Sequence, residues 1–163
     1  MKTPKTDRRF CAHTKFKKVC LAVQGDLKLT IKTMTYIQTL VDNLMQKFFR
    51  LIYNQLQNRK TIKTTDLSYL VQILEVMGFK FPKSDYVKYL PKRIGYHILK
   101  QMDIKLRISK EAQEQIQRFY INCTLLIINH LQESFSKKDK RITPEMVTNS
   151  FQGSNYQHLL QIN

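Results

Sequence analysis

The chain has 163 residues, with 28 lysines and arginines against 12 acidic residues, for a formal net charge of +16. Hydrophobic residues make up 42%, enough for a real core, which excludes a chain disordered by composition. No apolar run reaches the roughly eighteen residues a membrane span needs, and so large a charge excess points to an anionic partner.

Residues 1–14 read as a short basic tail without the apolar segment of a secretory signal, so a soluble, intracellular protein is expected. Phe16, Val19, Cys20 and Val23 then recur at three- and four-residue steps, giving about two amphipathic turns before a loop at residues 25–29. The chain holds only four glycines and four prolines, and none falls between Thr30 and Asn58. Across that window Met34, Ile37, Val41, Leu44, Met45, Phe48, Ile52 and Leu56 form one apolar stripe of about seven helical turns. A short basic loop follows at residues 58–63. Thr64 or Thr65 offers a helix cap with Asp66 in the first turn, and Leu67, Leu70, Val71 and Leu74 carry that helix to Gly78.

The order then repeats. Ile94, Ile98 and Leu99 predict a short helix, and residues 102–108 a loop. Ser109 caps a second long helix, with Glu111 near its positive end. Its stripe runs through Ala112, Ile116, Phe119, Cys123, Ile127, Leu131 and Phe135, and Leu125, Leu126 and Ile128 widen it towards burial on more than one side. Residues 139–142 are again a short basic loop. Thr143 and Pro144 form a strong start signal, a capping hydroxyl followed by a proline whose missing donor costs nothing. Met146, Val147 and Phe151 supply the last helix, which Gly153 ends. Short, long, short occurs twice, so the fold class is all-α with an internal duplication.

Basic residues cluster at positions 15–18, 59–63, 88–93 and 137–141, so the charge is spread along the chain. Cys11, Cys20 and Cys123 make no paired framework and no metal spacing, and His13, His97, His130 and His158 share no periodicity. There is no glycine-rich phosphate loop, zinc-protease motif or nucleophile elbow, so enzymatic activity is not expected.

A long helix with one wide stripe and two short arms closes no core alone, but two such units do so by crossing their long helices. The residues themselves carry a resemblance to the histone family. The segment from Phe16 to Leu74 resembles core histone two-B in FKKVCLAV and LTIKTM, in YIQTLVDNLMQKFF, and in RKTIKTTDL. The segment from Leu90 to Leu160 resembles core histone two-A in Leu90-Pro91, HILKQ, Arg107-Ile108 and DKRITPEMV. In that order the two resemble the fused histone doublets of giant DNA viruses.

The resemblance implies two histone folds in tandem, paired in an intramolecular handshake as a pseudo-heterodimer. A two-B-like fold over 15–90, with a short C-terminal helix, would precede a two-A-like fold over 91–163. It implies packaging of double-stranded DNA without sequence preference, with histone three/four-like proteins or a second doublet in an octamer-like particle. The location would be the host nucleus or a viral factory, and the virion. No cofactor, metal, membrane or small-molecule substrate is implied.

The handshake would set the first loop of each fold beside the second loop of the other. One composite DNA site would join Lys28, Leu29 and Thr30 to Lys140, Arg141 and Thr143. The other would join Arg107, Ile108 and Ser109 to Arg59, Lys60 and Thr61. Arg59, Arg107 and Arg141 fall where the family inserts arginines into an inward-facing minor groove. A third site would lie between the two short first helices, at Lys15, Lys17 and Lys18 and at Lys92 and Arg93. Three such sites would cover roughly 25 to 30 bp.

The chain also departs from the family pattern. The acidic patch of histone two-A has Ile121, Leu126, Asn129, Ser154, Asn155 and Tyr156 at its counterpart positions. Up to Asn163 the resemblance offers no counterpart of the extended segment that docks histone two-A, so that docking is not expected. Residues 84–90 replace a long C-terminal helix, with Tyr86, Val87 and Leu90 as a reduced contact surface. A histone-fold transcription subunit acting through protein partners is the main alternative. An RNA- or membrane-binding helical protein is a more distant one, since it would not need arginine loops at matching places in both halves.

Overall fold

The computed structural model describes residues 11–76, 86–135, 141–160 and 162. In chain order the elements are α1 (His13–Val23), α2 (Ile31–Leu56), β1 (Thr61–Ile62), α3 (Thr64–Val76) and a 3-10 turn (Tyr86–Tyr89). They continue with α4 (Ile94–Gln101), β2 (Arg107–Ile108), α5 (Lys110–Ser134) and α6 (Pro144–Phe151). The described chain is therefore mostly helical with one small two-stranded sheet. The long helices fall where the sequence lacks helix breakers.

The helix starts follow from side-chain capping. Thr30 accepts the Thr33 amide at 3.1 Å, Ser109 the Ala112 amide at 3.2 Å and Thr143 the Met146 amide at 3.3 Å. Each satisfies one of the donors that a helix end leaves unpaired. At α3 the arrangement differs from the expected threonine cap. The helix opens at Thr64, and the carboxylate of Asp66 reaches back to the Lys63 amide at 2.8 Å. The turn after α6 is completed at Gly153, whose φ of 75° is a conformation that only glycine adopts cheaply.

The two long helices meet through their apolar stripes, with Phe48 edge-on to Phe119 at 4.8 Å. Each of α1, α3, α4 and α6 packs against both α2 and α5. One continuous core, drawn from both halves, results among the described residues. Gly95 lets α4 approach closely, since a Cβ there would lie 2.7 Å from Ile108 Cδ1 and 3.0 Å from Ile116 Cδ1.

Side-chain hydrogen bonds tie the halves further. Thr33 Oγ1 donates to the Ile142 carbonyl at 2.6 Å, Gln132 Nε2 to the Val23 carbonyl at 3.0 Å, and Tyr36 Oη lies 2.9 Å from Thr148 Oγ1. Leu29 pairs with Ile142, joining the start of α2 to the segment after α5, and β1 pairs with β2, joining the end of α2 to the start of α5. The long helices therefore run antiparallel, and the two loop pairs sit at their opposite ends. At 26 residues, α2 separates those ends by about 39 Å.

Three expectations need correction. The basic tail does not extend through residue 14, because Cys11 is buried at 4% exposure and His13 already opens α1. Gln38 Nε2 holds the Cys11 carbonyl at 3.0 Å, which fixes the chain there. Leu90 is not part of a free contact surface. It is buried, and its carbonyl accepts from Gln117 on α5 at 3.2 Å. Ile121 and Leu126 are core residues, so of the six positions compared above only Asn129, Ser154, Asn155 and Tyr156 reach the surface. Gly78 and Ser84 lie outside the described residues.

Candidate nucleic-acid interface

The two composite loops proposed from sequence are brought together. At the first, the Ile142 amide donates to the Lys28 carbonyl at 2.7 Å, so Lys28 and Arg141, both exposed, flank one edge. Lys140 lies outside the described residues. Thr30 and Thr143 belong to this edge as the caps of α2 and α6. Their oxygens are engaged by backbone amides, and Thr30 Oγ1 lies 2.7 Å from Thr33 Oγ1 as well.

At the second edge, the Arg107 amide donates to the Lys60 carbonyl at 2.9 Å and the Ser109 amide to the Ile62 carbonyl at 3.0 Å. The strands are parallel, with Thr61 opposite Arg107 and Ile62 opposite Ile108. Register is fixed by burial: Ile62 and Ile108 point into the core, and a slip of one residue would turn one of them to water. Lys60 and Arg107 are left exposed on the outer side. Tyr96 braces this strand from α4, its hydroxyl accepting the Ile108 amide at 2.9 Å. Ser109 caps α5.

Arg59 is placed differently from the other two loop arginines. Its guanidinium pairs with Asp66 through both terminal nitrogens, which ties the loop to the start of α3. Among the described residues, Arg107 and Arg141 have no such acidic partner.

The third group is joined only indirectly. Helix α1 packs against the 3-10 turn that leads into Lys92 and Arg93. Lys15 and Lys18 are exposed and Lys17 is half-buried. Arg93 stacks over the Tyr96 ring at 4.7 Å. Neither α1, preceded by Ala12, nor α4, preceded by Arg93, has a side-chain cap. The Lys15 amide of α1 and the Ile94 and Tyr96 amides of α4 donate instead to the backbone carbonyls of Ala12, Pro91 and Arg93.

Helix ends add to the field. The starts of α2 and α6 meet at the first edge, and those of α3 and α5 at the second. Each contributes partial positive charge, offset in part by Asp66, Glu111 and Glu145 in the first turns of α3, α5 and α6.

Sequence reasoning missed one extension of the second edge. An open groove of about 800 Å³ lies beside it, where Lys100 and Lys105 join Lys60 and Arg107 against a single acid, Asp103. The signal was present in Lys100, Lys105, Arg107 and Lys110, a basic run too loosely spaced to stand out as a cluster. What the surface can do chemically is hold anions by charge and hydrogen bonds.

The remaining polar chemistry is buried. Burial pushes the thiols of Cys11 and Cys20 up to about 11 and about 12, and that of Cys123 further, so none is a thiolate near neutral pH. All three cysteines are free. Among the described residues no cluster of three or more histidine, cysteine or acidic side chains is placed to hold a metal ion. No described helix is long and apolar enough to cross a membrane. No protein-family model matches the chain, and no curated protein or solved structure matches it either.

Proposed function

We propose that the chain is a histone doublet that holds and bends double-stranded DNA through its phosphate backbone and minor groove, without reading sequence. The observation that carries this reading is the pairing of loops. Two loops from each half, far apart in sequence, meet in parallel at opposite ends of the crossed long helices, and each meeting point carries exposed cations beside two helix starts. A duplex crossing both edges would lay its phosphates against Lys28 and Arg141 at one and against Lys60 and Arg107 at the other. The starts of α1 and α4, with Lys15, Lys17, Lys18, Lys92 and Arg93, would serve as the middle site by their charge. Capping hydroxyls use an oxygen lone pair on the helix, so Ser109 and Thr143 keep an O–H to donate to a phosphate. In this reading Arg59 shapes its loop and Arg107 is the groove cation of that edge.

Partners follow from the apolar surface. Leu51, Tyr53, Tyr69 and Val76 are large, exposed hydrophobics on α2 and α3, with Val76 at 89% exposure. Exposed apolar side chains of this kind would suit contact with a histone three/four-like partner or a second doublet. It also supports a second reading, a histone-fold transcription subunit that works mainly through proteins. Under the first reading the chain acts in chromatin of a host nucleus or viral factory and in the virion.

Nuclease digestion on random-sequence duplex separates the two. The doublet protects a fragment of roughly 25 to 30 bp alone, and a longer one with a tetramer-forming histone pair. Absence of protection in both mixtures would rule out the architectural role and favour the subunit.

A further inference from the structure

The centre of the molecule contains polar chemistry that DNA binding does not use. Tyr120 of α5 is fully buried and donates its hydroxyl to Asp42 Oδ1 of α2 at 2.6 Å, and Asp42 is itself 6% exposed. The chain of contacts continues outward. Cys11 Sγ lies 3.9 Å from Tyr120 Oη, Gln38 Nε2 donates to the Cys11 carbonyl at 3.0 Å, and Gln38 Oε1 lies 3.0 Å from His13 Nδ1. Phe16 stands edge-on to the Tyr120 ring at 6.3 Å. Burial and the neighbouring charge of Asp42 push the phenol well up, so it stays protonated and keeps donating.

A buried carboxylate is a poor way to gain stability, because desolvation opposes the attraction, but it is an effective way to choose a partner. The long helices are nearly equal and both apolar, so each half has a surface that a copy of itself could also cover. Counting from the caps Thr30 and Ser109, Val41 corresponds to Tyr120 and Asp42 to Ile121. Only the unlike pairing sets the Tyr120 phenol against the carboxylate. Two first halves would bring two carboxylates together without a phenol, and two second halves would bury phenols without the acceptor.

We propose that Asp42 and Tyr120 are a partner-selecting pair that makes the first half close on a second half and rejects like-with-like pairing between copies. The role is independent of DNA binding and goes beyond stability.

The test uses the full chain, refolded from denaturant over a range of concentrations and sized by sedimentation, with circular dichroism to report helix. Asp42→Leu combined with Tyr120→Phe removes both polar atoms and keeps apolar bulk. It is expected to remain helical but to raise the fraction of dimers and larger assemblies over wild type by about tenfold, the factor for the removal of one net hydrogen bond. Asp42→Asn, which keeps an oxygen acceptor, is expected to match wild type. A helical double variant that assembles no more than wild type overturns the proposal, and so does an Asp42→Asn variant that assembles as much as the double one. If the double variant does not fold, Asp42→Leu alone, which removes the carboxylate that like pairing would bring together, must show a rise over wild type for the proposal to stand.

Discussion

Arg59 grips the carboxylate of Asp66 with both terminal nitrogens, at 2.5 and 3.4 Å, while the same carboxylate accepts the Lys63 amide at 2.8 Å. One acid thus ends a loop, starts a helix and holds an arginine. Asp66→Ala should cost about 1–2 kcal/mol, since it removes a helix-start acceptor as well as the ion pair. The Arg59 side chain is 50% exposed, so solvent screens the pair and Arg59→Ala should cost less, about 0.5–1 kcal/mol. Denaturant titration of both variants measures the order. An Arg59→Ala loss larger than that of Asp66→Ala would mean that the arginine has other essential partners.

Arg107 and Arg141 have the opposite situation, being exposed without an acidic partner among the described residues. Replacing either with alanine should leave the melting temperature nearly unchanged. It should lower the slope of log affinity against log salt by about 1 for each phosphate that is no longer neutralised. Arg59→Ala should change the slope less. Equal slopes for wild type and the Arg107→Ala, Arg141→Ala double variant would take both arginines off the interface.

The groove beside β2 extends the same logic to Lys100 and Lys105. Alanine at both should weaken duplex binding to the same degree on any sequence, because phosphates carry no base information. Competition between two unrelated duplexes checks this. A weakening confined to one sequence would mean that the groove reads bases.

The buried thiols predict an alkaline limit to stability. Cys11 and Cys20 titrate near 9.0 when exposed, and burial pushes them up to about 11 and about 12 in the fold. A raised folded value contributes its stability in full below the unfolded one and loses it as pH rises through the folded one. Unfolding free energy should therefore be insensitive to these groups below about pH 8.5 and should fall from about pH 9 to 11. For Cys11 alone the loss is about 2–3 kcal/mol at the upper end. Cys11→Ala should flatten the decline, as measured by denaturant titration at several pH values, and an unchanged decline would exclude that thiol.

How legible these features are in the chain depends on their range. The helices and the caps at Ser109 and Thr143 are local facts, written in a side-chain oxygen just ahead of a three-four apolar rhythm. The meeting of the loops is reached only through the histone resemblance, because a two-residue strand such as Thr61–Ile62 has no rhythm to detect. Asp42 and Tyr120 are 78 positions apart, and nothing nearby marks either as buried. Arg59 and Asp66 are seven apart across a loop, outside the i+3 and i+4 spacings that flag a helical ion pair. Cys11 and Leu90 read as tail and surface in the sequence because local composition does not report what tertiary packing covers.

The most direct measurement is a salt titration of wild-type binding to a random-sequence duplex of about 30 bp, long enough for all three sites. Log affinity should fall linearly with log salt, with a slope magnitude of several, one unit for roughly each phosphate engaged, and the same for unrelated sequences. Binding that ignores salt, or that depends on one sequence, would contradict the proposed DNA-holding role.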